Sequence, residues 1–60
     1  MKTYDVVLNQ NDSIDIDTGT MIVHVVKCDV GTAIDIYNLN GEVMSSYTIW
    51  DDDVQGDDNE

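Results

Sequence analysis

From Ser13 to Trp50 the chain runs in short stretches of two-residue periodicity separated by clusters of turn-forming residues, a pattern that points to antiparallel β-structure. "SIDID" (13–17) alternates strictly, so Ile14 and Ile16 share one face of a strand while Ser13, Asp15 and Asp17 share the other. "MIVHVVK" (21–27) is almost continuously apolar and reads as a central strand covered on both faces. "TAIDIYN" (32–38) and "EVMSSYTIW" (42–50) flank Asn40-Gly41, a strong hairpin signal, because a type I′ turn needs positive φ at both central residues. Upstream, "TYDVVLN" (3–9) is rich in β-branched and aromatic residues and precedes the turn cluster "NQND". No segment repeats apolar residues at the helical period over three turns, so no helix is expected. The expected fold is all-β: a small antiparallel meander of about five strands with two or more hairpins.

A two-residue turn at Thr18-Gly19 sets a register that can be checked. It pairs Asp17 with Thr20, Ile16 with Met21, Asp15 with Ile22, Ile14 with Val23 and Ser13 with His24, gathering Ile14, Ile16, Met21 and Val23 on one apolar face. Thr-Gly is a poorer turn than Asn-Gly, which leaves room for a longer loop starting at Asp17.

Sixty residues make one small domain, which buries only about 60% of its unfolded surface and is marginally stable alone. Cys28 is the only cysteine, so no disulfide can form within the chain, and a lone thiol suits a reducing cytosol. One His and one Cys cannot complete a closed zinc site. Self-association is then the expected source of further stability, completing the sheet as a sandwich or barrel-like homodimer. Apolar residues on the mixed face and near the second hairpin, Ile22, Val26, Tyr37, Met44 and Trp50, are the candidates for that contact.

Thirteen acids stand against Lys2 and Lys27, a net charge of -11. Such a chain repels nucleic acid, which is held by basic side chains, and repels anionic membrane surfaces. Its electrostatic complement is a basic protein surface. Six of the acids lie in "DDDVQGDDNE" (51–60), read as a disordered acidic tail behind a domain spanning residues 1–50. With no apolar run long enough for a signal peptide or a membrane span, the expected location is the cytoplasm, the host's if the protein is viral.

Four constellations invite a chemical reading. Asp17-Thr18-Gly19 is the triplet that carries the aspartate of aspartic proteases, but that chemistry needs two such loops sharing a proton and a bracing apolar-apolar-Gly segment, which this sequence lacks. The turn reading therefore prevails. Ser13, His24 and Asp15 form a tempting set on a flat strand surface with no pocket or oxyanion hole, so a half-exposed strand histidine outweighs catalysis. Asp12, Asp15 and Asp17 lack the spacing and the distal Glu of a calcium loop. Cys28 has only Lys27 as a cationic neighbour, and an idle thiol outweighs a reactive one. The expectation is no enzyme, no cofactor and no metal.

"IVHVVKCDVGTAIDIYNLNGEV" reads strand, turn, strand, turn, and over residues 8–47 the strand spacing is similar to that of the dimeric CsrA-type RNA-binding repressors. The resemblance is one of strand pattern only. That family reads RNA with basic residues on its edge strands, whereas the corresponding stretches here hold Asn9, Gln10, Ser46 and Tyr47, so no RNA-binding residue carries over.

The expected function is an acidic protein-binding module, an inhibitor of viral or mobile-element type that mimics nucleic acid and occupies the basic nucleic-acid-binding surface of a partner. Aspartates two apart on a strand lie about 7 Å apart on one face, a spacing able to imitate successive phosphates. Asp15 and Asp17 have it, and Asp5, Asp12, Asp29 and Asp35 extend the surface if their strands are neighbours. The alternative is a structural or assembly homo-oligomer with an apolar interface, such as a virion accessory protein. A sponge for a small ligand is a weaker alternative, since only two lysines are present to hold a phosphate.

Overall fold

The computed structural model describes residues 1–55. Four strands form one antiparallel sheet in sequence order: β1 (Ser13–Asp17), β2 (Met21–Lys27), β3 (Gly31–Asn38) and β4 (Val43–Trp50), followed by a short helix α1 (Asp51–Gln55). The meander is as the alternation and turn signals predict, with four strands and three hairpins. Residues 3–9 are not a strand: among the described residues, none forms a ladder with them. They form an arm that leads into a turn at 10–11, where Asn11 takes a positive φ of 72° and its N–H donates to the Lys27 carbonyl.

The first hairpin turns one residue later than expected. Thr18 N–H donates to the Met21 carbonyl across Gly19-Thr20, and Gly19, at φ 93°, occupies the first central position, where a II′-type turn needs a glycine. Asp17 therefore pairs with Ile22, Asp15 with His24 and Ser13 with Val26, each two places along β2 from the expected partner. A shift of two preserves the faces, because side chains alternate with period two.

The third hairpin also departs from expectation. Only Gly41 of the Asn40-Gly41 pair has positive φ, 89°, so the turn is not type I′. Gly41 N–H instead donates to the Asn38 carbonyl and Asn38 N–H to the Glu42 carbonyl, making a three-residue loop that ends in a left-handed glycine. The Asn38 side chain secures it, with Oδ1 accepting from the N–H groups of Asn40 and Glu42. Met44 is then an extra residue in β4: Tyr37 pairs with Val43 and Ile36 with Ser45, and this bulge absorbs the longer loop.

The ladders divide the sheet into two faces. One carries Ile14, Ile16, Val23, Val25, Ile34, Ile36, Tyr47 and Ile49; the other carries Asp15, Asp17, Ile22, His24, Asp35, Tyr37, Ser46 and Trp50. The arm passes over the first, where Tyr4, Val6 and Leu8 line an open apolar cleft with Ile14, Ile16 and Val25. β2 is central in the strand order, yet it is not covered on both faces. Six of its seven residues are partly buried and none fully, and no hydrophobic side chain among the described residues is fully buried.

Disorder from Asp51 onward is not what the structure shows for the first half of that segment. Asp51–Gln55 form one helical turn, favoured by Asp51, Asp52 and Asp53 in its first turn, and Asp51 N–H donates to the Val30 carbonyl. Residues 56–60 of the expected tail lie outside the described residues.

Candidate partner-binding face

The pairing places Asp15, His24, Asp35 and Ser46 in a single row across all four strands. Its members are joined two by two: His24 Nδ1 contacts Asp15 Oδ1, and Ser46 Oγ donates to Asp35 Oδ1 at 2.5 Å. Asp17 lies on the same face at the end of β1, where Oδ1 accepts the Gly19 N–H at 2.8 Å. These contacts hold the carboxylates in position while leaving them in reach of solvent: the Asp15 side chain is 67% exposed and that of His24 30%. Beside the row a shallow depression of about 410 Å³ is bounded by Ile22, Tyr37 and Leu39.

No lysine lies on this face. Lys2 sits in the arm, its Nζ 5.4 Å from the centre of the Tyr4 ring, and Lys27 Nζ at the far end of β2 donates to the Cys28 carbonyl at 2.6 Å and to Asp51 Oδ2 at 3.4 Å. The three aspartates therefore act electrostatically as uncompensated negative charge, with His24 the sole cationic option beside them.

Of the six predicted partner-binding aspartates, the fold unites Asp15, Asp17 and Asp35. Asp5 is in the arm, and Asp29 is in the two-residue turn between β2 and β3. Asp12 closes the arm's turn, its Oδ2 accepting the Asn9 N–H at 3.1 Å and its carbonyl accepting the Lys27 N–H. The predicted self-association residues Ile22, Val26, Tyr37 and Trp50 share the face of the aspartates, and Met44 is the bulge residue.

The row also decides how the suspected catalytic sets are arranged. Ser13 stands opposite Val26, so the expected Ser13–His24 pairing is replaced by His24 with Asp15. Ser46, which the sequence reading passed over, hydrogen-bonds Asp35 rather than His24, so the row does not link hydroxyl, imidazole and carboxylate in the order of a Ser-His-Asp triad. A sequence signal for Ser46 exists: counting outward from Asn40-Gly41 as a two-residue turn already pairs Asp35 with Ser46. Cys28 is a free, half-buried thiol. Among the described residues, no three His, Cys, Asp or Glu side chains are arranged to hold a metal ion, and no helix is long and apolar enough to cross a membrane.

No protein-family model, curated protein or solved structure matches the chain.

Proposed function

We propose that the protein is an acidic binding module that occupies a basic surface of another protein, of the kind that binds nucleic acid, and thereby inhibits it as a nucleic-acid mimic of viral or mobile-element type. The observation that carries this reading is the uncompensated face: three aspartates fixed on one side of a sheet, in a chain of net charge -11. Asp15 and Asp17, about 7 Å apart along β1, match the rhythm of a phosphate backbone. Carboxylates held by the sheet and its turn are preorganised for charge-assisted hydrogen bonds to Arg and Lys. The reading assigns the protein no catalytic step, no cofactor and no direct contact with nucleic acid or membrane. It places the protein in the cytoplasm with its target, acting as a dimeric sandwich, and treats residues 56–60 as part of an acidic tail that steers association.

Neutralising Asp15, Asp17 and Asp35 together to Asn tests it, by affinity capture of the partner across a salt series with competing DNA or RNA. The partner is expected to bind the parent protein, to be displaced by nucleic acid and salt, and to be lost by the triple variant. Capture that persists at high salt, ignores nucleic acid and tolerates the triple variant overturns it. The second reading, an assembly module, draws on the absence of any fully buried hydrophobic side chain among the described residues and then gains the stronger claim.

A further inference from the structure

The chain is too open to be complete as it stands. Its radius of gyration is 13.6 Å, against about 10 Å for a compact domain of this length. Its accessible surface of 4688 Å² exceeds the roughly 3,900 Å² expected of a folded monomer of 6.7 kDa. The excess, about 800 Å², is what one partner contributes to an ordinary stable protein interface. Among the described residues two features contribute to the openness: an arm with no strand partner, and a sheet face with apolar side chains at the surface.

That face is distinguished by its charge. Asp15, Asp17 and Asp35, the acids of β1 to β4, all point to the other side, so the strands place no carboxylate on the face bearing Val23, Val25, Ile34 and Ile36; its one charged strand residue is Lys27, which contacts Asp51 at the sheet's end. In a chain of net charge -11 this is where a like-charged copy can approach without placing acid against acid. It is self-complementary too, since apolar meets apolar about a two-fold axis. β4 adds a long open edge: eight exposed residues without an acid, paired with β3 on one side and presenting alternate N–H and C=O groups on the other. Residues 3–9 are the matching piece, an alternating segment with Tyr4, Val6 and Leu8 on its inward side.

We propose that a second copy of this chain covers the acid-free face, and that residues 3–9 of each copy add as a fifth strand to the free β4 edge of the other. The exchange satisfies backbone groups that a single copy leaves to water. The proposal deepens the dimeric part of the reading above, moves the contact from the expected Ile22, Val26, Tyr37 and Trp50 to the opposite face, and is independent of the basic partner.

Two measurements on the full chain test it. Sedimentation at micromolar concentration is expected to give about twice the 6.7 kDa chain mass. In a mixture of differently isotope-labelled copies, nuclear Overhauser contacts are expected between residues 3–9 of one copy and Val43–Trp50 of the other, with slow amide exchange along that strand. Deleting residues 2–8 is expected to weaken the dimer by at least about tenfold. Salt is expected to strengthen self-association by screening like charges, opposite to its effect on a basic partner, and the triple Asn variant is expected to retain the dimer. A monomeric full chain overturns the proposal, as does a dimer with freely exchanging β4 amides and no contacts from the partner's arm. Both results come from the unmodified sequence and do not depend on a variant folding.

Discussion

The two faces of this sheet are built from the same strands at alternate positions, yet they are suited to opposite encounters. On one side Val23, Val25, Ile34 and Ile36 form an apolar patch without a carboxylate; on the other the row Asp15, His24, Asp35 and Ser46 crosses all four strands. In most small domains the apolar face is hidden beneath a second layer and the polar face meets solvent. Here the partial cover is the arm, and the apolar face stays half-open. The contrast shows how a strongly acidic chain can still associate with itself: period-two alternation sorts charge from apolar surface within a single layer, so repulsion and attraction act in different directions.

The sharpest way to break this contrast is to put a charge on the acid-free face. Ile34→Asp is expected to cost about 2–4 kcal/mol and to abolish self-association, read by thermal melting and sedimentation. Asp35→Asn, the next residue but on the opposite face, is expected to cost less than about 1 kcal/mol in the same melt, since it keeps an acceptor for Ser46. Equal losses for the two would remove the distinction between the faces.

The next effect belongs to the seam that both faces share. A Cβ on Gly31 would lie 2.6 Å from the Ile49 carbonyl oxygen and 3.2 Å from Trp50 Cα, backbone atoms that can yield only if β4 moves. Gly31→Ala is expected to destabilise by about 1–3 kcal/mol in a denaturant titration. A neutral result would show that the β3–β4 end is looser than its pairing implies.

Smaller effects are expected on the acid-bearing face. His24→Ala removes the contact with Asp15, and because Asp15 is largely solvated the loss is expected to stay below about 1 kcal/mol by melting. Asp17→Asn should be smallest, within about 0.5 kcal/mol, because the amide oxygen can still accept the Gly19 N–H. Under the binding reading this variant leaves peptide-cleavage assays unchanged; acid-optimum cleavage by the parent that disappears in Asp17→Asn would establish the protease reading instead.

Much of this architecture was legible because period-two alternation and turn residues are local signals. The strands 13–17, 21–27, 32–38 and 42–50 coincide with β1 to β4 to within a residue or so, and the face assignment survived a turn misplaced by one residue, since the register moved by two. What was not legible required knowing which backbone groups meet. "TYDVVLN" has the composition of a strand, but a strand needs a neighbour, and the described residues provide none. The helix at Asp51–Gln55 was missed for a related reason. Its composition reads as a solvated tail, and it is anchored by contacts from Val30 and Lys27, some twenty residues earlier.

By itself, then, the sequence determined the class of structure, the division of side chains between two faces and the acidity of one of them, because each follows from chain geometry over a few residues. The tertiary structure alone decided that His24 meets Asp15 rather than Ser13, and that residues 3–9 are without a strand partner among the described residues. The first of these outcomes depends on Gly19, whose positive-φ backbone sets where the first hairpin reverses and so which groups of β1 and β2 come within reach.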